Sequence, residues 1–88
     1  MEHICFNQVL HLIGEGYSVN FSRANDPSGK QLLRIIVSKG DHHHMELVDI
    51  SYGNLRQRNT SVDFLISRAL TLSEWELDNY IEQENDKE

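Results

Sequence analysis

Apolar and polar residues alternate through much of the stretch 16–51, and this alternation predicts a small β-sheet. Over 17–22 every second residue is large and apolar, the period of two expected of a strand with one buried face. A second strand is predicted over 32–39, where both faces are partly apolar, and a third over 45–50. The turn residues of 25–29, with Pro, Gly and Asn, separate the first two strands. The pattern therefore predicts a three-stranded antiparallel meander with the second strand at its centre.

Apolar residues recur at three- and four-residue spacing on both sides of this stretch, which predicts a helix at each end of the chain. The N-terminal helix would bury Phe6, Val9, Leu10 and Ile13. The C-terminal helix would bury Val62, Leu65, Ile66, Ala69 and Leu70, and the same stripe continues through Leu77, Tyr80 and Ile81. The polar residues 55–59 predict a loop before it, and Asn59, Thr60 or Ser61 can cap its first turn.

The predicted fold is α+β, with a three-stranded antiparallel β-meander packed against an N-terminal helix and a longer C-terminal helix. We expect one domain over 1–83 and a frayed acidic tail over 84–88. The predicted core consists of Phe6, Val9, Leu10, Ile13, Val19, Phe21, Leu33, Ile35, Val37, Leu47, Leu65, Ile66 and Ala69.

The composition is that of a small globular protein. A chain of 88 residues buries only about 60% of its unfolded surface, so its stability is thin and a homodimer would help. Cys5 is the single cysteine and has no partner for an internal disulfide. No apolar stretch is long enough for a signal sequence or a membrane span, so we expect a cytoplasmic protein without a membrane partner.

The net charge of −6 is concentrated at the C-terminus. Seven acidic and seven basic residues cancel over 1–73, whereas 74–88 contains seven acids and only one base, Lys87. Such a segment is commonly a solvated helix end. Its functional interpretation is a surface that attracts a basic partner and repels nucleic acid.

Two aromatic residues occupy special positions in the C-terminal helix. Phe64 and Trp75 are eleven residues apart, so on a continuous helix they lie about 20° apart, roughly opposite the buried stripe. The segment 71–74, Thr-Leu-Ser-Glu, has the spacing of a capping box, and a break there would turn Trp75 into the core. The sequence leaves both alternatives open.

These features predict a non-enzymatic interaction module, an adaptor or inhibitor that binds a protein partner through the C-terminal helix. The expected partner is a basic or nucleic-acid-binding protein, and in the extreme form this chain would imitate the charge of nucleic acid and so occupy an enzyme that binds nucleic acid. No serine lies in a glycine-flanked elbow and no glycine-rich phosphate loop is present, so neither catalysis nor a cofactor is predicted. The predicted contact residues are the anchors Phe64 and Trp75 and the acids Glu74, Glu76, Asp78 and Glu82.

A histidine-rich segment contains the chain's densest group of possible metal ligands. His42, His44 and Glu46 would project from one side of an extended strand, and two imidazoles with a carboxylate is a ligand set that zinc accepts. Residues on the same side of a strand are about 7 Å apart, however, so all three would have to converge on one ion. A solvated hairpin is the favoured interpretation, and no metal site is predicted.

The alternative function is nucleic-acid binding. The order helix, three strands, helix resembles that of the double-stranded-RNA-binding domain, which presents a lysine-rich start of its last helix to phosphates. Here the corresponding segment 59–68 contains Asp63 and a single arginine. Under this alternative a basic patch would lie on the open face of the sheet, formed by Arg23, Arg34, Lys39, Arg56 and Arg58.

Overall fold

The computed structural model describes the backbone of residues 4–86 and the side chains of residues 6–84. It confirms the α+β class and the predicted order of helix, three strands and long helix, and adds one short helix before the last. Within this part of the chain, no helix is both long and apolar enough to cross a membrane. The elements are α1 (Ile4–Gly14), β1 (Ser18–Ala24), β2 (Leu32–Lys39), β3 (His42–Asp49), α2 (Tyr52–Arg58) and α3 (Val62–Asp86).

The three strands form one antiparallel sheet in the order β1-β2-β3, so β2 is central as predicted. Its bounds also agree with the prediction. The strand β3 begins at His42 rather than at Met45, because the chain reverses within a tight turn in which Gly40 takes a positive φ of 62°. The histidines therefore belong to the strand.

One face of the sheet packs against α1 and α3, and the other face is open. Ile35 and Val37, which follow each other on the covered side of β2, are fully buried. On the open face Met45 and Leu47 of β3 are 52% and 48% exposed. A single apolar layer thus lies between the sheet and the helices, consisting of Leu12, Tyr17, Ile35, Val37, Ala69, Leu70 and Leu77.

The predicted buried stripe of α1 is largely wrong. Leu12, outside that stripe, is fully buried, whereas Phe6, Leu10 and Ile13 are 60%, 52% and 53% exposed. The cause is contact between α1 and α3, since the Gln8 side chain donates to Thr71 Oγ1 at 2.7 Å and accepts from the Ser67 hydroxyl at 2.7 Å. These two bonds hold the Gln8 side of α1 against α3, and Phe6, Leu10 and Ile13 face away from the core.

The rest of the predicted core is partly confirmed. The predicted burial of Phe21 and Leu47 is wrong. Phe21 lies on an edge strand and is 43% exposed, and Leu47 lies on the open face and is 48% exposed. Leu65 is half-buried. Ile35, Val37 and Ala69 are buried as predicted. Four more residues of the predicted core are half-buried and pack against it, namely Val9, Val19, Leu33 and Ile66.

A helix replaces the loop predicted over 55–59. The turn that follows β3 is closed by Asn54, whose side-chain amide donates to the Asp49 carbonyl at 2.7 Å. The helix α2 ends at Asn59, which adopts the left-handed conformation with φ 50° and ψ 51°. Thr60 N–H then donates to the Leu55 carbonyl at 3.0 Å. Asparagine thus ends this helix in the place that glycine often takes.

The helix α3 runs without a break. Ser61 caps it, because the Phe64 N–H donates to the Ser61 hydroxyl oxygen at 3.2 Å. Ser73, in the capping-box segment, is fully buried and donates its hydroxyl to the Ala69 carbonyl at 2.8 Å. The helix continues through residue 84 to Asp86, so the predicted tail of 84–88 begins inside it, and its last two residues lie outside the described part.

Candidate functional site

The outer side of α3 presents both aromatic residues that the sequence singled out. Phe64 is 59% and Trp75 is 60% exposed, and the uninterrupted helix places them on the same side, about 20° apart. The alternative in which the helix breaks and buries Trp75 is therefore wrong. These two side chains lie opposite the residues that α3 buries against the sheet.

A shallow apolar groove connects the two aromatics along the helix, and we refer to it as the α3 groove. Leu72 forms part of its floor and is 44% exposed. Arg68 is the one basic residue of α3 and lies beside Phe64. The groove is lined by Phe64, Ser67, Arg68, Thr71, Leu72 and Trp75.

The four acids predicted to surround the aromatics have different environments. Glu82 is exposed two helical turns after Trp75, and therefore on the same side. Glu74 and Glu76 are half-buried. Asp78 accepts a hydrogen bond from the Tyr17 hydroxyl, so this carboxylate already binds a group of its own chain. Glu82 is thus the acid best placed to meet a partner at the α3 groove.

The buried Tyr17 side chain makes a partly buried polar contact that the sequence did not indicate. Its hydroxyl donates to Asp78, and Lys39 Nζ lies 4.4 Å from the centre of its ring. Burial raises the pKa of Tyr17 well above its usual range, and the hydrogen bond to Asp78 and the charges of Asp78, Glu74 and Glu15 act in the same direction. The neutral phenol therefore ties the start of β1 to α3.

Two of the three histidines of β3 lie against carboxylates, and the third bonds to a serine hydroxyl. His42 Nε2 lies 2.5 Å from a Glu84 oxygen on α3, and His44 Nε2 lies 2.7 Å from a Glu46 oxygen. His43 points to the other face and bonds to the Ser38 hydroxyl at 2.8 Å. Among the described residues, no three His, Cys, Asp or Glu side chains are arranged to hold a metal ion.

The five basic residues of the nucleic-acid alternative are spread over several surfaces. Strand register puts Arg34 on the open face, opposite Ser22. Arg23 and Lys39 fall on the face that carries Val37, and Lys39 lies over Tyr17. The remaining two, Arg56 and Arg58, lie on α2. The structure therefore does not collect them on the open face of the sheet.

Comparison with protein families, with characterised proteins and with solved structures finds no match to this chain. Its function has to be inferred from its own residues and their geometry.

Proposed function

We propose that this protein is a non-enzymatic interaction module, an adaptor or inhibitor, and that it binds a protein partner through the α3 groove. The exposure of Trp75 and Phe64, at 60% and 59%, supports this function. Large aromatic side chains anchor protein interfaces, because each removes a large apolar area from water when it enters a pocket of the partner. Here both belong to one rigid helix, so little conformational entropy is lost when they are buried.

The charges around the groove define the chemistry of the partner. Glu82 is exposed on the side of Trp75, and Glu76 follows Trp75 directly in the helix and is half-buried. Carboxylates at the rim of an apolar contact favour a partner with basic residues around an apolar patch, and they accelerate its association. A protein surface that binds nucleic acid has this character, whereas nucleic acid itself is repelled by a chain of charge −6.

Substitution of Trp75 tests this function directly. The wild-type protein and Trp75→Ala serve as baits in a native cell extract treated with nuclease, and the affinity of any retained protein is then measured with purified components. We expect a stoichiometric partner that Trp75→Ala binds at least about 30-fold more weakly, the loss of about 2 kcal/mol typical of an interface anchor. The melting temperature of Trp75→Ala should be close to that of the wild type, since Trp75 is mostly exposed.

Tyr52→Ala is the matched control, because Tyr52 is another aromatic, 75% exposed, on α2 and away from the α3 groove. It should bind the partner as the wild type does. A large fall in the melting temperature of Trp75→Ala would make Trp75 a structural residue and contradict the proposal. Retention that nuclease abolishes, and that Arg56→Ala with Arg58→Ala weakens, would instead establish the nucleic-acid alternative.

A further inference from the structure

The strand β1 is an edge strand with a free side. Within the described part of the chain it pairs with β2 alone. Its backbone N–H and C=O groups make no hydrogen bond to a turn, a loop or a helix there. It is seven residues long, contains no proline and carries one charge, Arg23. Natural proteins usually protect such an edge with charges, proline or a covering segment, because its open N–H and C=O groups invite another strand.

An exposed apolar surface lies beside this edge, and we refer to it as the α1/β1 surface. It includes Phe6, Leu10 and Ile13 of α1 and Phe21 of β1, which are 60%, 52%, 53% and 43% exposed. Phe6 and Phe21 belong to the rim of a groove whose floor is apolar. The same surface therefore offers both unpaired backbone groups and apolar side chains.

The charge distribution indicates which partner this surface fits. Neither α1 nor β1 contains an acidic residue, although Glu15 follows α1, whereas α3 contains six acids among residues 62–84. Two molecules that each carry −6 repel each other least when their uncharged sides meet and their acidic helices point apart. A second copy of the chain can thus approach at the α1/β1 surface.

We propose that two copies of this chain form a two-fold symmetric dimer through their α1/β1 surfaces. The two β1 strands pair antiparallel about an axis near Asn20 and Phe21, which joins the two sheets into one of six strands. Antiparallel pairing of a strand with its own copy satisfies two-fold symmetry, and each copy covers the exposed face of the other's α1. The α3 groove remains free on both subunits, so this inference does not depend on the proposed function.

The other edge of the sheet is less suited to the same contact. The strand β3 carries Glu46 and Asp49, and pairing it with its own copy would bring carboxylates of two acidic subunits together. The two histidines on its covered face are already bonded to carboxylates, His42 to Glu84 and His44 to Glu46. Electrostatics and side-chain bonding therefore favour the β1 edge.

Sedimentation equilibrium of the full chain tests the dimer. The apparent molecular mass of the wild-type protein should be twice the 10.2 kDa mass of one chain. Phe21→Glu and Leu10→Glu each place a carboxylate on the α1/β1 surface, and each should raise the dimer dissociation constant at least about tenfold, because two charges are then buried against each other. Met45→Glu is the control, since Met45 is as exposed as Leu10 but lies on the open face.

Three results would overturn the proposal. They are a wild-type chain that stays at 10.2 kDa at every concentration, a dimer that neither Phe21→Glu nor Leu10→Glu weakens, and a dimer that Met45→Glu dissociates. If the variants do not fold, intermolecular NOEs in a mixed labelled and unlabelled wild-type sample replace them. Contacts between the two β1 strands support the dimer described here, and contacts through Trp75 or the open face contradict it.

Discussion

Tyr17 connects the start of the sheet to the C-terminal helix through one polar group. The hydroxyl donates to Asp78, and Glu74 and Glu15 add negative potential around it. A phenolate at this position would meet carboxylates where the phenol now donates a hydrogen bond. Burial of the ring disfavours the phenolate most, and the Asp78 hydrogen bond and the nearby carboxylates act in the same direction, so the pKa of Tyr17 is raised.

The pKa shift of Tyr17 predicts a loss of stability at alkaline pH. In the unfolded chain Tyr17 loses its proton near pH 10, whereas in the folded protein it stays protonated to higher pH. The folded state then binds more protons, so the free energy of unfolding falls as the pH rises above about 10. Tyr17→Phe keeps the ring but not the hydroxyl, and it should show a smaller alkaline loss and about 1 kcal/mol less stability at pH 7.

Urea denaturation of both proteins between pH 7 and pH 11 measures these differences. Tyr52→Phe is the matched control, because Tyr52 is 75% exposed and should behave as the wild type does throughout. Equal dependence on pH in Tyr17→Phe and the wild type would show that folding does not raise the pKa of Tyr17, and equal stability at pH 7 would show that the Tyr17–Asp78 hydrogen bond does not stabilise the fold.

At the scale of elements, the continuity of α3 determines which residues share its outer side. Its first turn is capped by Ser61, and the Ser73 hydroxyl bonds within the helix instead of capping a new one. Because no break occurs, Phe64 and Trp75 stay on the same side over eleven residues. A second helix beginning near residue 71 would have separated them.

Removal of the Ser61 cap should destabilise the protein moderately. Ser61→Ala leaves the Phe64 N–H without its side-chain acceptor, and we expect the free energy of unfolding to fall by about 1 kcal/mol. Ser61→Asp keeps an acceptor and adds a negative charge at the helix N-terminus, so its stability should match or exceed that of the wild type. Chemical denaturation of the three proteins measures both effects. Equal stability of Ser61→Ala and Ser61→Asp would exclude a capping role.

At the scale of the whole molecule, the fold has one apolar layer and several uncovered apolar surfaces. The shortest dimension of the molecule is 19 Å, which fits one sheet and one layer of helices. Large apolar side chains remain exposed on α1, on the open face of the sheet and on the outer side of α3. So small a chain cannot cover all of them with its own elements.

Two leucines of α3 test this division between the core and the surface. Leu70 is fully buried and Leu72 is 44% exposed, although they are two residues apart on one helix. Leu70→Ala should lower the free energy of unfolding by about 2–5 kcal/mol because it leaves a cavity. Leu72→Ala should cost less than about 1 kcal/mol, since the helix propensity of alanine is as good as that of leucine. Urea denaturation measures both, and equal losses would contradict the observed rotation of α3.

The sequence by itself determined the order and type of the main elements. Alternation with a period of two specified a meander with β2 at its centre, and the apolar spacing of the last segment specified a helix that buries Ala69 and Leu70. These patterns are local, since one element's own residues define its periodicity. For the candidate site, they also placed Phe64 and Trp75 on the outer side of α3, provided that the helix was continuous.

Only the tertiary structure decided which residues of each element touch another element. The burial of Leu12 instead of Phe6 follows from bonds between Gln8 and α3, about sixty residues away in the chain. The hydrogen bond from the Tyr17 hydroxyl to the Asp78 carboxylate likewise joins residues that are far apart in the chain. Periodicity shows that a helix has an apolar side, but the element that covers that side is specified by contacts between residues far apart in sequence.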